Sequence, residues 1–275
     1  MGIASILVHA DPDPAAGGRL RCAAALADRL GATVIGLGAE AIPPVDVSAG
    51  GAYAAVGLWT DTLREQVIAN HAAAEQNFRA AMGARPIEWR TSWDRPTEAM
   101  AEASRAADLI VAGPSLRPFP ADPCRDADVG RLVVAAGRPV LFCPPRADHL
   151  KLRSVLVAWK DTREARRAVA DALPLLRSAE DVLIVEVGSN EDTVAIDAAL
   201  ADVAAALGRH GVVARTQSLS CNESAAESLL DRAERQGADL IVAGGYGHGR
   251  LAEIIFGGVT RALLKQERRF VLFSH

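Results

Sequence analysis

Short apolar runs alternate with amphipathic stretches along the whole chain. The runs of the second half are rich in β-branched residues and lie at 154–158, 182–187, 212–218, 240–243 and 270–273. Runs of this kind are typical of strands that are covered on both faces. Between two of them, apolar residues recur at the spacing of one helix face, at Ile196, Ala199, Leu200, Val203 and Leu207. The alternation of strand and helix predicts a parallel α/β sheet.

The chain contains two copies of this pattern. Residues 107–113 and 238–244 both read Ala-Asp-Leu-Ile-Val-Ala-Gly and lie 131 positions apart. Near the start of each copy, Ile-Leu-Val at 6–8 matches Val-Leu-Val at 155–157, which lies 149 positions later. The two offsets differ, so the first copy is longer by about 18 residues.

The repeat predicts how the chain divides into domains. A stretch rich in Gly, Ala and Pro at 43–60 is predicted to hold the extra length of the first copy as a loop. We expect two domains, 1–143 and 152–275, with the boundary at 144–152. A chain of 275 residues is about as long as two typical domains.

Composition excludes several classes of protein. Hydrophobic residues make up 50% of the chain but aromatic residues only 4%, which predicts an aliphatic core. A net charge of −4 argues against a general nucleic-acid-binding surface. No apolar run approaches the roughly 18 residues of a membrane span, and the N-terminus lacks the pattern of a signal peptide, so we expect a cytoplasmic protein. The cysteines form no Cys-x-x-Cys pair and are expected to be mostly buried thiols; they are Cys22, Cys124, Cys143 and Cys221.

A glycine-rich segment follows the fourth predicted strand of the second half. It contains Gly244, Gly247 and Gly249, and then Gly257 and Gly258 just before a predicted helix. Glycine lets a ligand approach the backbone closely, and the N–H groups at a helix N-terminus attract anions. The segment therefore predicts a phosphate site. The alternative is a strand–loop–helix connection that needs glycine only for its turns.

The spacing of these glycines also points to a family. Gly244, two residues, Gly247, nine residues and Gly257, followed by a small residue and then Val259, resembles the ATP-binding signature of universal stress proteins. In that family the small residue is usually Ser or Thr, whereas here it is Gly258, which removes a hydroxyl but keeps the backbone N–H. The resemblance implies that ATP is the cofactor, with magnesium left open.

The resemblance also implies an architecture. It predicts two tandem, doubly wound domains of the adenine nucleotide alpha hydrolase-like type, each with a five-stranded parallel sheet, packed as a pseudo-dimer. The last predicted strand of each half, 140–142 and 271–273, is an apolar edge that needs cover. We therefore expect these two strands at the interface between the halves.

The residues after the first strand of the second half depart from the family. An Asp commonly follows this strand there and contacts the nucleoside, but here Ala158 and Trp159 are followed by Lys160. Lysine cannot accept a hydrogen bond, so it would contact a phosphate or project into water. Trp159 would cover a base or, as buried tryptophans more often do, pack in the core. Asp161 is an equal candidate for capping the next helix, because Glu164 follows three residues later.

Candidate chemistry around the glycine segment is sparse. His248 and Arg250 flank the loop and would add charge to a phosphate site, or they belong to a solvated loop. His248 is the only plausible general base beside the proposed ligand. No nucleophile elbow, His-Glu-x-x-His or Walker lysine pattern occurs, so no catalytic or metal-binding residue is assigned.

The first half is a degenerate copy of this segment. The positions aligned with the four signature glycines are Gly113, Leu116, Asp126 and Ala127. The strand-end Asp is nevertheless present in this half, as Asp11. We interpret the first half as a packing partner that has lost nucleotide binding. The alternative is a different ligand, in a pocket lined by Trp89 and Trp93.

These observations predict a cytoplasmic stress-response protein that binds ATP or a related adenine nucleotide in its second half. It would act as a sensor or regulator that binds an unidentified protein partner. We expect it to bind neither nucleic acid nor a membrane. Whether it forms a homodimer is left open. One alternative is a slow nucleotide hydrolase at the same site. The other is an interaction or small-ligand scaffold that binds no nucleotide.

Overall fold

A computed structural model describes residues 2–13, 16–43, 53–114, 122–145, 149–188, 193–220, 224–246 and 258–275. Its strands are β1 Ser5–Ala10, β2 Thr33–Ala39, β3 Ile87–Ser92, β4 Leu109–Ala112, β5 Val140–Phe142, β6 Ser154–Trp159, β7 Asp181–Gly188, β8 Ala214–Ser220, β9 Leu240–Gly244 and β10 Phe270–Ser274. Its helices are α1 Ala16–Leu30, α2 Tyr53–Met82, α3 Pro96–Ala103, α4 Val129–Ala135, α5 Arg163–Leu176, α6 Thr193–Arg209, α7 Ala225–Gln236 and α8 Gly258–Lys265, with a 3-10 turn at Ser104–Ala106.

All ten strands belong to one sheet, in the order β3-β2-β1-β4-β5-β10-β9-β6-β7-β8. Within each set of five the strands are parallel and follow the same order. The two sets meet where β5 pairs with β10 in the antiparallel direction, with Leu141 opposite Leu272. The expectation that the last strands of the two halves form the interface is therefore confirmed.

The sheet separates two apolar cores. Successive residues of a strand point to opposite faces, so both faces of these nearly all-apolar strands need cover. On one face, β1 and β6 pack against α1, α2, α5 and α6, through side chains such as Leu20, Phe78 and Leu200. On the other face, α3, α4, α7 and α8 contribute side chains such as Met100 and Leu263. The few aromatic residues leave these cores mainly aliphatic, as the composition predicts.

The aspartate of each repeated heptapeptide makes hydrogen bonds to the start of a neighbouring strand. The Asp108 carboxylate precedes β4 and accepts hydrogen bonds from the N–H and hydroxyl groups of Ser5, each at 3.0 Å, and from the N–H of the residue before it at 2.9 Å. Asp239 does the same before β9, where it accepts from the N–H of Ser154 at 3.2 Å and from that of the preceding residue at 2.7 Å. Each aspartate thus ties the start of the fourth strand of its half to the start of the first.

The extra length of the first half is partly helical, contrary to the loop expected over 43–60. The helix α2 begins at Tyr53 and has 30 residues, against 17 in its counterpart α6. The segment from 53 to 60 carries Ala and Leu, which favour helix, and one interior glycine costs only about 1 kcal/mol. The strand expected over 212–218 also starts later, at Ala214, since Val213 is 91% exposed.

The thiols of Cys22, Cys124 and Cys143 are buried, as expected, and Cys221 lies outside the described residues. A hydrogen bond with Cys143 and burial together raise the pKa of the Cys22 thiol well above its usual value. Such a thiol is protonated at neutral pH and is therefore a poor nucleophile.

We predict that Asp108→Ala destabilises the protein by about 1–3 kcal/mol at pH 7, because three donors lose their acceptor. Burial acts to raise the pKa of Asp108, but the hydrogen bonds from Ala4 and Ser5 outweigh it and lower the pKa below its usual value. The contribution of the carboxylate is therefore complete above the unfolded-state pKa of about 4 and is lost as the pH falls through the lower folded-state pKa. Urea unfolding at pH 7 and near pH 3 measures both effects. The exposed Asp202, changed to Ala, is the control, and a loss for Asp108→Ala that did not shrink at low pH would contradict the account.

Candidate functional site

A cleft of about 240 Å³ opens at the carboxyl edge of the second set of strands. The chain places β7 and β8 on one side of β6 and then returns to place β9 and β10 on the other side. The cleft lies at this reversal, which is the usual ligand position in open parallel α/β sheets. Its walls are the ends of β6, β7 and β9 and the first turns of α5, α7 and α8.

The structure brings together six of the ten residues that the sequence nominated for nucleotide binding. All six line the cleft; they are Ala158, Trp159, Lys160, Gly244, Gly258 and Val259. The other four lie outside the described residues; they are Gly247, His248, Gly249 and Gly257. Contact of any of the ten with a nucleotide stays a prediction.

The two described signature glycines differ in what requires them. A Cβ on Gly244 would lie 2.6 Å from the backbone nitrogen of Ala165 and 2.7 Å from the carbonyl carbon of Glu164, so the first turn of α5 can approach β9 only because residue 244 has no side chain. A Cβ on Gly258 would meet nothing within 4 Å. Helix packing therefore accounts for glycine at 244, whereas position 258, at the start of α8, opens toward the cleft.

Three helices begin at the cleft. The first residues of α8, the Thr162 end of α5 and Ala225 at the start of α7 all line it. Thr162 caps α5, since its hydroxyl accepts a hydrogen bond from the N–H of Ala165 at 3.3 Å. The interpretation of Asp161 as the cap is therefore wrong; its carboxylate pairs with Arg166 instead. Helix N-termini carry partial positive charge, so three of them together favour a bound anion.

The charged groups near the cleft are few. Among the described lining residues none is Asp or Glu, and Lys160 is the one formal charge. Lys160 is exposed, directly after β6. Glu186 lies close by on β7, where burial and the charge of Asp161 raise the pKa of its carboxyl and the charge of Lys160 partly opposes them. Within the described part of the chain, the cleft itself therefore favours anionic ligands.

Trp159 packs in the core, as one of its two alternatives predicts, and contact with a base stays a prediction. The side chain is only 8% exposed and belongs to the core on the α5 and α6 face, while the residue also lines the cleft. Its indole Nε1 is buried and has no hydrogen-bond partner among the described residues. An unpaired buried donor is uncommon and costs free energy.

Sequence reasoning missed the part of the cleft that touches the first half. Tyr246 lines it with a left-handed backbone, φ 60°, and its ring contacts His275 edge-on at 6.5 Å between centroids. Burial and the charge of Asp128, the N-cap of α4, raise the pKa of the Tyr246 phenol. The neighbouring Gly245 is close to α4 as well, since a Cβ there would lie 2.7 Å from Val133. No sequence signal identifies this contact, because it arises only from the packing of the two halves.

In the first half a side chain occupies the position beside the end of β4. Arg19 is 3% exposed, and its Nη1 donates to the carbonyl oxygens of Gly113 and Pro114 at 3.2 Å each. Its Nη2 lies 3.6 Å from the carboxylate of Asp11. The residue that corresponds to Arg19 at the offset of 149 is Ala168. An internal cation thus stands next to the strand end in the first half, whereas the backbone of Glu164 and Ala165 lies beside Gly244 in the second half.

Among its described residues the first half has a small cavity at the corresponding edge. Its volume is about 10 Å³, room for about one water molecule, and Glu40, Asn70 and Arg125 fill the space with a hydrogen-bonded network. Trp89 packs on Phe78 instead of lining it. These contacts favour the interpretation of the first half as a packing partner over that of a second ligand site, although 115–121 lie outside the described residues.

Comparison with solved structures identifies the fold. A universal stress protein from Archaeoglobus fulgidus DSM 4304 aligns over 98% of this chain and 95% of its own length, with a TM-score of 0.70 and 16% identity. The chain has the fold of the universal stress proteins. A candidate universal stress protein from Pseudomonas aeruginosa UCBPP-PA14 aligns over 99% of this chain and 93% of its own, with a TM-score of 0.57 and 17% identity.

Other comparisons add little. The universal stress protein from Archaeoglobus fulgidus in complex with dAMP aligns over 45% of this chain and 98% of its own, with a TM-score of 0.36 and 20% identity, too low for its ligand to bear on this chain. No family profile and no curated protein sequence matches.

Among the described helices none has the length and apolar character needed to cross a membrane. The described residues also contain no group of three or more His, Cys, Asp or Glu side chains arranged to hold a metal ion.

The two glycines of the cleft yield a paired prediction. Gly244→Ala should destabilise the protein by about 1–3 kcal/mol, because the added methyl group meets the backbone of α5. Gly258→Ala, its matched control at the other wall, should leave stability equal or slightly higher, since it meets open space and alanine favours helix. Denaturant unfolding of both variants is the measurement. Equal stability of the two variants would show that α5 does not require glycine at 244.

Proposed function

We propose that the chain is a tandem member of the universal stress protein family whose second half, 152–275, binds ATP or a related adenine nucleotide in the cleft. The observation that carries this proposal is the convergence of six nominated residues on one cleft with three helix N-termini and no carboxylate among its described lining. The first half, 1–143, is in this proposal a packing partner that has lost the site.

The described walls suggest how a nucleotide would lie. Backbone N–H groups at Gly258 and Val259 would donate to phosphate oxygens at the start of α8, helped by the loop that follows Gly244. Apolar side chains from three elements, Ala158, Val187 and Leu229, form the remaining wall and would contact the base. The phosphate tail would thus lie toward β9 and the nucleoside toward β6 and β7.

Occupancy would be sensed by the first half. Tyr246 lines the cleft and lies within the influence of Asp128, so a ligand that moves the segment after β9 also changes contacts with α4. In this proposal the protein works in the cytoplasm as a sensor or regulator that presents an altered surface to a protein partner. Nucleic acid and membrane have no part in it, and a homodimer is compatible with it.

The binding site is tested by calorimetry on the full chain. We expect at most one ATP per chain, and Gly247→Val should abolish binding because its side chain fills space that the phosphate needs. Gly208→Val on α6 is a matched control, since a Cβ there meets nothing within 4 Å and the position lies at the opposite edge of the sheet. Unchanged affinity in a folded Gly247→Val variant, or two ATP molecules per chain, would refute the proposal.

Hydrolysis is expected to be slow. Phosphoryl transfer depends on positioning and on neutralising developing charge, usually with metal ions held by carboxylates, and the described lining offers none. We therefore expect turnover well below about 1 per second with ATP and magnesium. Phosphate release measured on the full chain separates the sensor from the hydrolase. Brisk release that disappears in both His248→Ala and Gly247→Val would establish the enzyme instead.

A further inference from the structure

We infer that the cleft selects nucleotides that carry a phosphate on the ribose, in addition to a 5′-phosphate, and that Lys160 is the residue that selects them. The inference rests on the proposed nucleotide site and names its ligand class. Its starting point is the placement of the one formal charge in the described lining, away from the wall assigned to the 5′-phosphates.

Lys160 lies at the end of β6, apart from the start of α8. Gly258 and Val259 begin α8, which follows β9, whereas Lys160 follows β6, the strand between β9 and β7, and its charge lowers the pKa of Glu186 on β7. A nucleotide whose 5′-phosphates bind at α8 therefore brings its sugar across the end of β6. The ammonium group of Lys160 is then available to the sugar.

The charge of Lys160 matches a phosphate better than a ribose hydroxyl. A lysine ammonium can donate a hydrogen bond to a hydroxyl oxygen, but a phosphate dianion offers only acceptors and the opposite charge, so its hydrogen bonds to lysine are stronger. In other dinucleotide-binding sheets an acidic residue accepts from the ribose hydroxyls, and a basic residue near that place accommodates a ribose phosphate. No Asp or Glu lines the described part of this cleft. Within its described lining the cleft thus offers a cation and no carboxylate, a combination that favours a ribose phosphate over an unmodified ribose.

The surrounding charges leave Lys160 available. It forms no ion pair with another described residue, and the carboxylate that follows it, Asp161, is held by Arg166. Glu186 on β7 is an acidic group within range of Lys160: burial and the charge of Asp161 raise its pKa, and the charge of Lys160 lowers it. A phosphate dianion is the stronger partner for an exposed ammonium than one partly buried carboxyl.

The first half supplies a contrast at the same position. Asp11 stands where the second half has Lys160, but it is only 6% exposed and its carboxylate lies next to Arg19. The strand-end carboxylate is thus present in the first half, where its described surroundings leave only about 10 Å³, and a cation replaces it beside the larger cleft of the second half.

The test compares ADP with two adenosine bisphosphates, all of which carry two phosphates. Calorimetry on the full chain should give an affinity for adenosine 3′,5′-bisphosphate or 2′,5′-bisphosphate about fivefold to tenfold higher than for ADP, as expected for one charge-assisted contact at an exposed site. Lys160→Gln should remove this preference and Lys160→Arg should keep it. Lys151→Gln is the matched control, because Lys151 is exposed and lies before β6, at the opposite edge of the sheet.

Each other outcome overturns the inference. If ADP binds as tightly as both bisphosphates, the ligand class is wrong while the nucleotide site stands. If Lys160→Gln weakens ADP and the bisphosphates by the same factor, Lys160 contacts the 5′-phosphates. If no nucleotide binds, the proposed function fails together with this inference.

Discussion

The antiparallel pairing of β5 with β10 is the interaction on which the rest of the structure depends. The last strand of a half-sheet would otherwise expose a row of unpaired backbone donors and acceptors, and here each half covers the other with fully buried side chains such as Leu141 and Leu272. The same pairing brings α4 of the first half against the segment after β9. Gly245 therefore lies close to Val133 of the other half, and the next residue, Tyr246, is within range of the Asp128 charge and also lines the cleft. The site belongs to the second half, but the first half supports one of its walls.

The two copies keep the same strand order but differ at the carboxyl ends of their strands. The aspartates of the heptapeptides, Asp108 and Asp239, make equivalent hydrogen bonds in both halves. At the carboxyl edge the first half holds an internal ion pair, Arg19 with Asp11, and a filled space, whereas the second half keeps a cleft with a cation at its rim. Because the scaffold is retained, the difference in proposed function arises from a few residues that face the ligand and not from the fold.

Much of the fold follows from the sequence, because apolar strands and a repeated heptapeptide are local signals. Pairing of the terminal strands was predictable from their apolar edges alone. The helical start of α2 was not, since a stretch rich in Ala, Gly and Pro is ambiguous until its packing is known. In the site, the spacing of Gly244 and Gly258 located the cleft, but the reason for glycine at 244 is the approach of α5. The Tyr246 contact with α4 could not be predicted, because it depends on how two distant segments dock.

A crystal structure of the full chain grown with saturating ATP tests the central claim most directly. The account predicts one nucleotide, in the cleft between the ends of β6 and β9, with phosphate oxygens within hydrogen-bond distance of backbone N–H groups at the start of α8. The base should lie against the apolar wall that includes Val187. A nucleotide bound in the first half instead, or an empty cleft at a concentration that saturates binding in solution, would contradict it.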